Sequence, residues 1–218
     1  MMKLYTYFRS SAAYRVRIAL AVKQLEYEQQ AVNLREGEHR KTHYLSLNPQ
    51  GLVPALQTQE GLITQSLAIL EYLEQEYPHP PLLPAEPLLR AQVRSLSQHV
   101  ATDMHPLNNL RVLQYIENDL QLSTEQQQTW YQHWIAEGFS SIEKTLQQLV
   151  PQLASPGPYC FGGDVSLADI CLVPQVYNAL RFNCDVAPYP TIMAIYQVCN
   201  ERADFKSAAP EQQADAVN

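Results

Sequence analysis

The chain has 218 residues, with 15 Lys or Arg against 22 Asp or Glu and a formal net charge of -7, so it has no overall attraction for nucleic-acid phosphates or anionic lipid. Its 46% apolar and 17% charged content is too apolar for intrinsic disorder, and no apolar run approaches the roughly 20 residues of a membrane-spanning helix. The length suits one large domain or two small ones, and the segment from Met1 to Tyr7 lacks the basic, apolar and cleavage regions of a secretion signal.

Lys3 to Tyr7 alternates as a strand, and Arg15 to Val22 carries apolar residues at helical spacing after Ser10-Ser11, which can cap the helix. Glu28 to Leu34 reads as a second strand, Glu38 to Leu45 as a short helix and Val53 to Gln57 as a third strand. Leu62-Ile63-Thr64 follows the Glu60-Gly61 turn as a fourth strand, and Ser66 to Leu73 is amphipathic. The order β-α-β-α-β-β-α is that of an α/β thioredoxin-like N-terminal domain, placed at residues 1–80. Five prolines between Pro78 and Pro87 forbid regular structure and mark a stiff linker, taken as 81–87. Beyond it, Leu88 to Asn118, Thr124 to Val150, Ser166 to Arg181 and Pro190 to Glu201 show three-to-four spacing. An all-α C-terminal domain over 88–210 and a flexible tail over 211–218 complete the expected organisation. Ser166 and Asp169 have the spacing of a capping box.

Four cysteines, Cys160, Cys171, Cys184 and Cys199, stand at wide intervals without a C-x-x-C pair and read as reduced, buried thiols. His39 and His43 would share one face of a helix, but a third ligand is missing, so no metal site is expected.

Three loops offer chemistry. Tyr7 to Arg15 joins the first strand to the first helix, where backbone N-H groups and the helix dipole favour an anion such as a thiolate; a plain serine cap is the competing reading. Asn48 to Leu56 holds Val53-Pro54 just before a short strand, where thioredoxin-like folds keep a cis bond that turns the preceding backbone toward an extended peptide. Thr64-Gln65-Ser66 opens an amphipathic helix and suits a carboxylate.

These stretches carry a resemblance. Arg9-Ser10-Ser11 with Arg15 to Leu20, Leu47-Asn48-Pro49 with Val53-Pro54, and Gln65 to Ile69 resemble the zeta class of glutathione transferases, in the subset of maleylacetoacetate isomerases, and are also similar to bacterial maleylpyruvate isomerases. His105 to Asn109, Leu172 to Val176 and Arg181-Phe182 extend the likeness through the helical half. Zeta members commonly read Ser-Ser-Cys where this chain has Ser10-Ser11-Ala12.

The resemblance implies the glutathione transferase architecture, a glutathione site on the first domain and a substrate site in the cleft between domains. Ser10 and Ser11 would hold and polarise the sulfur, with Ser11 the principal hydroxyl donor. Val53 would pair with the cysteinyl backbone, Gln65 and Ser66 would receive the γ-glutamyl carboxylate, and His39 would reach the glycine end. His105, Asn109 and Arg111 would meet the ligand from the helical domain. Arg9, Arg111 and Arg181 are the expected clamps for a substrate with two carboxylate-bearing ends; a surface salt bridge is the competing reading for each. The implied reaction is a cis-trans isomerisation through reversible addition of the glutathione thiolate to a conjugated double bond, which leaves the cofactor unconsumed. Since the sulfur belongs to glutathione, Ala12 is expected to leave activity intact. The rival readings are a maleylpyruvate isomerase, a general transferase acting on small electrophiles, and a non-catalytic binding module. Homodimerisation and a cytoplasmic location complete what the resemblance and the absent signal imply. Nucleic acid and membrane are not expected partners.

Overall fold

In the computed structural model, residues 1–216 are described, apart from the Val150 side chain. The chain forms two compact units, Leu83–Cys199 and a unit made of Met1–Leu82 with the chain from Asn200 onward. Among the described residues no helix is long and apolar enough to cross a membrane.

The first unit follows the expected element order. It comprises β1 (Met2–Thr6), α1 (Ser11–Val22), β2 (Tyr27–Ala31), a 3-10 turn (Glu38–Arg40), α2 (Thr42–Leu47), β3 (Ala55–Gln57), β4 (Leu62–Thr64) and α3 (Ser66–Glu76). The expected helix over 38–45 is split between the 3-10 turn and α2. The sheet runs β2-β1-β3-β4, with β1 parallel to β2 and the other two pairs antiparallel. Parallel β1 and β2 follow from the α1 crossover between them, whereas β3 and β4 need only a tight turn. Thr58 makes that turn: its Oγ1 accepts from the N-H groups of Glu60 and Gly61 at 3.1 and 3.2 Å.

Helix α1 is buried nearly all round, because it packs on α3 and on α9 (Ala203–Ala208) as well as contributing to the core. Arg15 and Arg17 lie inside this packing, each 1% exposed. The guanidinium of Arg17 donates to Ala208 O at 3.0 Å, Thr6 Oγ1 at 3.1 Å, Tyr7 O at 3.4 Å and Phe8 O at 3.0 Å.

The end of the chain differs from the expected helical domain to 210 and flexible tail over 211–218. From Asn200 the chain belongs with the first unit. Asp215 accepts from Phe8 N at 2.9 Å and Gln29 Nε2 at 3.1 Å, and Ala216 packs on the cluster of Tyr7, Phe8, Val32, Tyr44 and Val53. The polar composition after Pro210 reads as frayed, yet Asp215 supplies an acceptor that Phe8 N-H needs. Residues 217–218 of the expected tail lie outside the described residues.

The second unit is helical: α4 (Pro87–Gln98), α5 (Leu110–Asn118), α6 (Thr124–Leu149), α7 (Leu167–Arg181) and α8 (Pro190–Glu201), whose last two residues pass into the first unit. The single helix expected from Leu88 to Asn118 is interrupted by a π-helical turn (His99–Met104) and a 3-10 turn (His105–Asn108). Pro106 cannot donate to a helical ladder, and Asn109 caps a new helix by accepting from Arg111 N at 3.2 Å. Gly138 admits Met104 against α6, since a Cβ there would sit 2.3 Å from the methionine side chain. At the start of α7, fully buried Asp169 accepts from Ser166 N at 2.8 Å, Ser166 Oγ at 2.7 Å and Cys160 N at 2.8 Å. All four cysteines are buried and outside any disulfide, and burial pushes the Cys184 thiol up to about 11.

A buried ion pair closes the first unit at its proline-rich end. Lys23 Nζ lies 2.8 Å from Glu74 Oε2 and donates to Tyr77 O at 2.6 Å and Pro80 O at 2.9 Å; Glu74 also accepts from Leu82 N at 3.1 and 3.0 Å. Removing one partner leaves a buried charge unpaired, so Lys23→Met is expected to lower stability by about 3–5 kcal/mol. Urea unfolding checks this, with the double variant Lys23→Met/Glu74→Leu regaining most of the loss; a single-variant loss under about 1 kcal/mol would show the pair to be incidental.

Candidate active site

The register of the sheet brings the three chemically interesting loops together. Ala55, the first residue of β3, pairs with Tyr5 near the end of β1 and with Thr64 at the end of β4. The loop after β1, the loop before β3 and the residue after β4 therefore share one end of the sheet. Helices α1 and α3 both start there.

At the start of α1, Ser10 is the N-cap: its Oγ accepts from Ala13 N at 3.2 Å, and its N-H donates to Tyr7 O at 2.9 Å. Ser11 is the first helical residue and is buried, and Ala12 beside it is half-buried. No acidic residue lies in the first turn, so nothing there offsets the positive end of the helix dipole. Arg9 rests its guanidinium 4.9 Å from the centre of the Phe8 ring. Ser10 is thus the cap, and Ser11 occupies the first turn.

The loop before β3 is tied down from within. Leu52 O accepts from Tyr44 Oη at 2.7 Å and Asn48 Nδ2 at 2.8 Å, and Val53 is buried ahead of a cis Val53-Pro54 bond. At the start of α3, Gln65 has φ 70°, a conformation costing a residue other than glycine about 1–3 kcal/mol. Its side chain does not cap the helix; Gln65 Nε2 donates instead to Gln50 Oε1 at 2.9 Å. Ser66 is buried and its Oγ accepts from Arg15 Nη1 at 3.2 Å. With no acidic residue in its first turn, α3 also offers its N-terminus to an anion.

His39 lies on the 3-10 turn, 7% exposed, and its Nδ1 has no hydrogen-bond partner among the described residues. Burial, then the charge of Arg40, holds its pKa below the ordinary histidine range, so the ring is neutral near pH 7. Gly51, at φ +59°, lets the next loop approach: a Cβ there would sit 2.9 Å from His39 O. His43 is exposed on α2, so the two histidines do not share a helix face. Among the described residues no three His, Cys, Asp or Glu side chains gather as a metal site.

The remaining residues belong to the second unit. His105, Asn109 and Arg111 fall within two turns around the α5 cap, with Asn109 Nδ2 3.4 Å from His105 Nε2 and Arg111 exposed. Arg181 is at the end of α7, with its guanidinium 4.4 Å from the Phe182 ring, which itself stacks on Tyr131 at 4.0 Å. It lines a hollow with Leu113, Thr124, Gln127 and Tyr131. Two residues at the first site were missed in the sequence. Gln50 carries no local signal beyond its place in a turn. Arg15 sits in a helical stretch where an arginine is normally solvated, and only the burial of α1 reveals it.

The sheet order, the two helix N-termini at one edge and the cis proline define a thioredoxin-like domain of the glutathione transferase type, and residues 1–75 match the glutathione S-transferase N-terminal domain family. A "probable maleylacetoacetate isomerase" of Vibrio cholerae is 48% identical, covering 98% of this chain and 97% of that protein. Among solved structures, a holo maleylpyruvate isomerase described as a bacterial zeta-class glutathione S-transferase has a TM-score of 0.94 at 43% identity, covering 99% of this chain and 100% of that one. A maleylacetoacetate isomerase of Methylobacterium extorquens with malonate and glutathione bound has a TM-score of 0.93 at 39% identity, again covering 99% and 100%. The chain belongs to the zeta class of the glutathione transferases, the family of the maleylacetoacetate and maleylpyruvate isomerases.

The backbone geometry of the site is itself testable. Gly51→Ala adds a Cβ at a left-handed φ and against a carbonyl, and is expected to cost about 1–3 kcal/mol in urea unfolding. Unchanged stability would mean that the loop does not need this approach.

Proposed function

We propose that the chain is a glutathione-dependent cis-trans isomerase that converts maleylacetoacetate to fumarylacetoacetate, a step of phenylalanine and tyrosine breakdown. The observation that carries this is the register that sets the serines of α1 and the Gln65-Ser66 start of α3 at one end of the sheet. It does so in a chain that aligns with a named isomerase over 98% of its length.

The residues present fit glutathione. The N-terminus of α3, without a side-chain cap from Gln65, suits the γ-glutamyl carboxylate, with Ser66 and Gln65 as its partners. Val53, just ahead of β3, serves the cysteinyl backbone. The orphaned His39 Nδ1 is a neutral group suited to the glycine end.

When bound, glutathione supplies a sulfur nucleophile whose reversible addition lets a cis double bond rotate, and it leaves unconsumed. The chain's task is to keep that sulfur ionised and to hold a dianionic substrate. A free thiol with a pKa near 8.5 is mostly protonated at neutral pH; the Ser11 hydroxyl and the first-turn N-H groups of α1 lower it. Ser10 fixes the turn that presents Ser11. Arg9, Arg111 and Arg181 are cations suited to carboxylates and to the negative charge that grows in the transition state. The malonate bound in the Methylobacterium structure has the same two-carboxylate chemistry. Ala12 brings no sulfur, so the nucleophile is not a side chain of this position.

Maleylpyruvate is the second reading of the substrate, favoured by the TM-score of 0.94 to an isomerase of that name. A homodimer and a cytoplasmic setting are part of the same proposal; four reduced, buried thiols are consistent with the latter.

The test is the rate of fumaryl product formation from maleylacetoacetate and maleylpyruvate with substoichiometric glutathione. Turnover with glutathione unconsumed is expected, faster on maleylacetoacetate. No turnover on either substrate by folded protein would turn the reading to a conjugating transferase. Ser11→Ala is expected to lower kcat about 10- to 100-fold, the worth of one hydrogen bond to a charged group. Ala12→Cys is expected to change kcat less than about threefold, a shift well under 1.4 kcal/mol; a larger gain would give position 12 a part in the chemistry.

A further inference from the structure

Arg15 opens the Arg15-Val16-Arg17 stretch of α1, and the function derived above assigns it no part. At 1% exposure it cannot meet a ligand directly from solvent. A neighbour of chemical interest is Ser66, whose Oγ accepts from Arg15 Nη1 at 3.2 Å across the packing of α1 on α3.

We propose that Arg15 is a positioning residue for the carboxylate end of the glutathione site, acting through Ser66. The proposal rests on the reading of Ser66 as a partner of the γ-glutamyl carboxylate. A serine hydroxyl has one proton to donate and lone pairs to accept with, whereas a guanidinium can only donate. The bond therefore has one direction, with Ser66 Oγ as acceptor. With a lone pair of Oγ held from the interior side, the hydroxyl proton is the part left to turn toward a ligand. A free serine at the first position of a helix can rotate its hydroxyl to accept or donate. Arg15 makes Ser66 a donor, the polarity an anion requires, and preorganises it at no cost when the ligand arrives.

Two features of the site agree with this. Gln65 takes a positive φ and spends its side-chain amide on Gln50 rather than on capping α3. The hydroxyl of Ser66 is thus the side-chain donor that the start of the helix presents, and Arg15 sets its direction. Arg17, two residues on, plays a different part: it donates to three carbonyls and a threonine hydroxyl and braces backbone. The two buried arginines of α1 thus divide the work, Arg17 holding the loop that leads to Ser10 and Arg15 setting a side chain of α3.

The test compares glutathione with an analogue in which 4-aminobutyryl replaces γ-glutamyl, so that the amino group is kept and only the α-carboxylate at that end is missing. Calorimetric binding to the full-length wild type, Arg15→Met, Arg15→Lys and Ser66→Ala reads the effect. The wild type is expected to bind glutathione much more tightly than the analogue. Arg15→Met should weaken glutathione about 10- to 50-fold, the worth of a hydrogen bond to a charged group, while leaving analogue affinity within about twofold. In turnover the loss should fall on the KM for glutathione rather than on kcat. Arg15→Lys, which keeps a buried donor, should recover part of the discrimination. Ser66→Ala leaves Arg15 in the packing and should lose the same discrimination, which keeps the proposal testable if Arg15→Met does not fold. Equal losses for glutathione and analogue, or full discrimination in Arg15→Met or Ser66→Ala, would overturn the proposal. A wild type that does not distinguish the two ligands would instead overturn the carboxylate reading of Ser66 on which it rests.

Discussion

The pairing of Ala55 with Tyr5 on one side and Thr64 on the other determines what the first unit can do. Three segments far apart in the chain end or begin at this row. A slip of one residue would turn every side chain of a strand to the opposite face, and would move Pro54 and Gln65 away from the start of α1. The short strands β3 and β4, three residues each, leave little pairing to hold that register. The rest comes from the apolar interior beneath, where Leu4, Leu56, Ile69, Leu70 and Leu73 are at most 1% exposed. The site's geometry is therefore a consequence of core packing, which sets the positive ends of two helices at the same edge.

Much of this was legible in the sequence because it is periodic or punctuated. The alternation in Lys3 to Tyr7, the helical spacing in Arg15 to Val22 and the Glu60-Gly61 turn each report a local preference, and together they give the element order of the first unit. The loops that carry chemistry stand out for the same reason: Ser10-Ser11, Val53-Pro54 and Gln65-Ser66 sit where one period stops and another starts. Their roles are another matter. Which serine caps and which occupies the first turn depends on where α1 begins, a boundary that local propensity leaves uncertain by a residue or two.

Where the reading departed from the structure, the information was not local. The helix expected through 88–118 is broken by Pro106 and restarted by the Asn109 cap, and the π-helical turn before that break sets Met104 against the bare face of Gly138, 34 positions away. The segment after Pro210 looks frayed by composition, yet Asp215 reaches back 207 positions to the N-H of Phe8. Arg15 and Arg17 look like the solvated face of an amphipathic helix, and are interior only because α3 and α9 cover that face. In each case a polar or small residue is explained by its partner rather than by its neighbours. The end of the chain and the buried arginines also bear on function, since Arg17 and Asp215 hold both the carbonyl and the N-H of Phe8, beside the loop that presents Ser10 and Ser11.

The most direct test of this account is a crystal structure of the protein with glutathione bound. The account predicts the γ-glutamyl carboxylate on the Ser66 hydroxyl and the first N-H groups of α3, the cysteinyl backbone beside Val53, and the sulfur at Ser11 at the start of α1. Glutathione bound with its sulfur away from α1, or with its γ-glutamyl end away from α3, would contradict it.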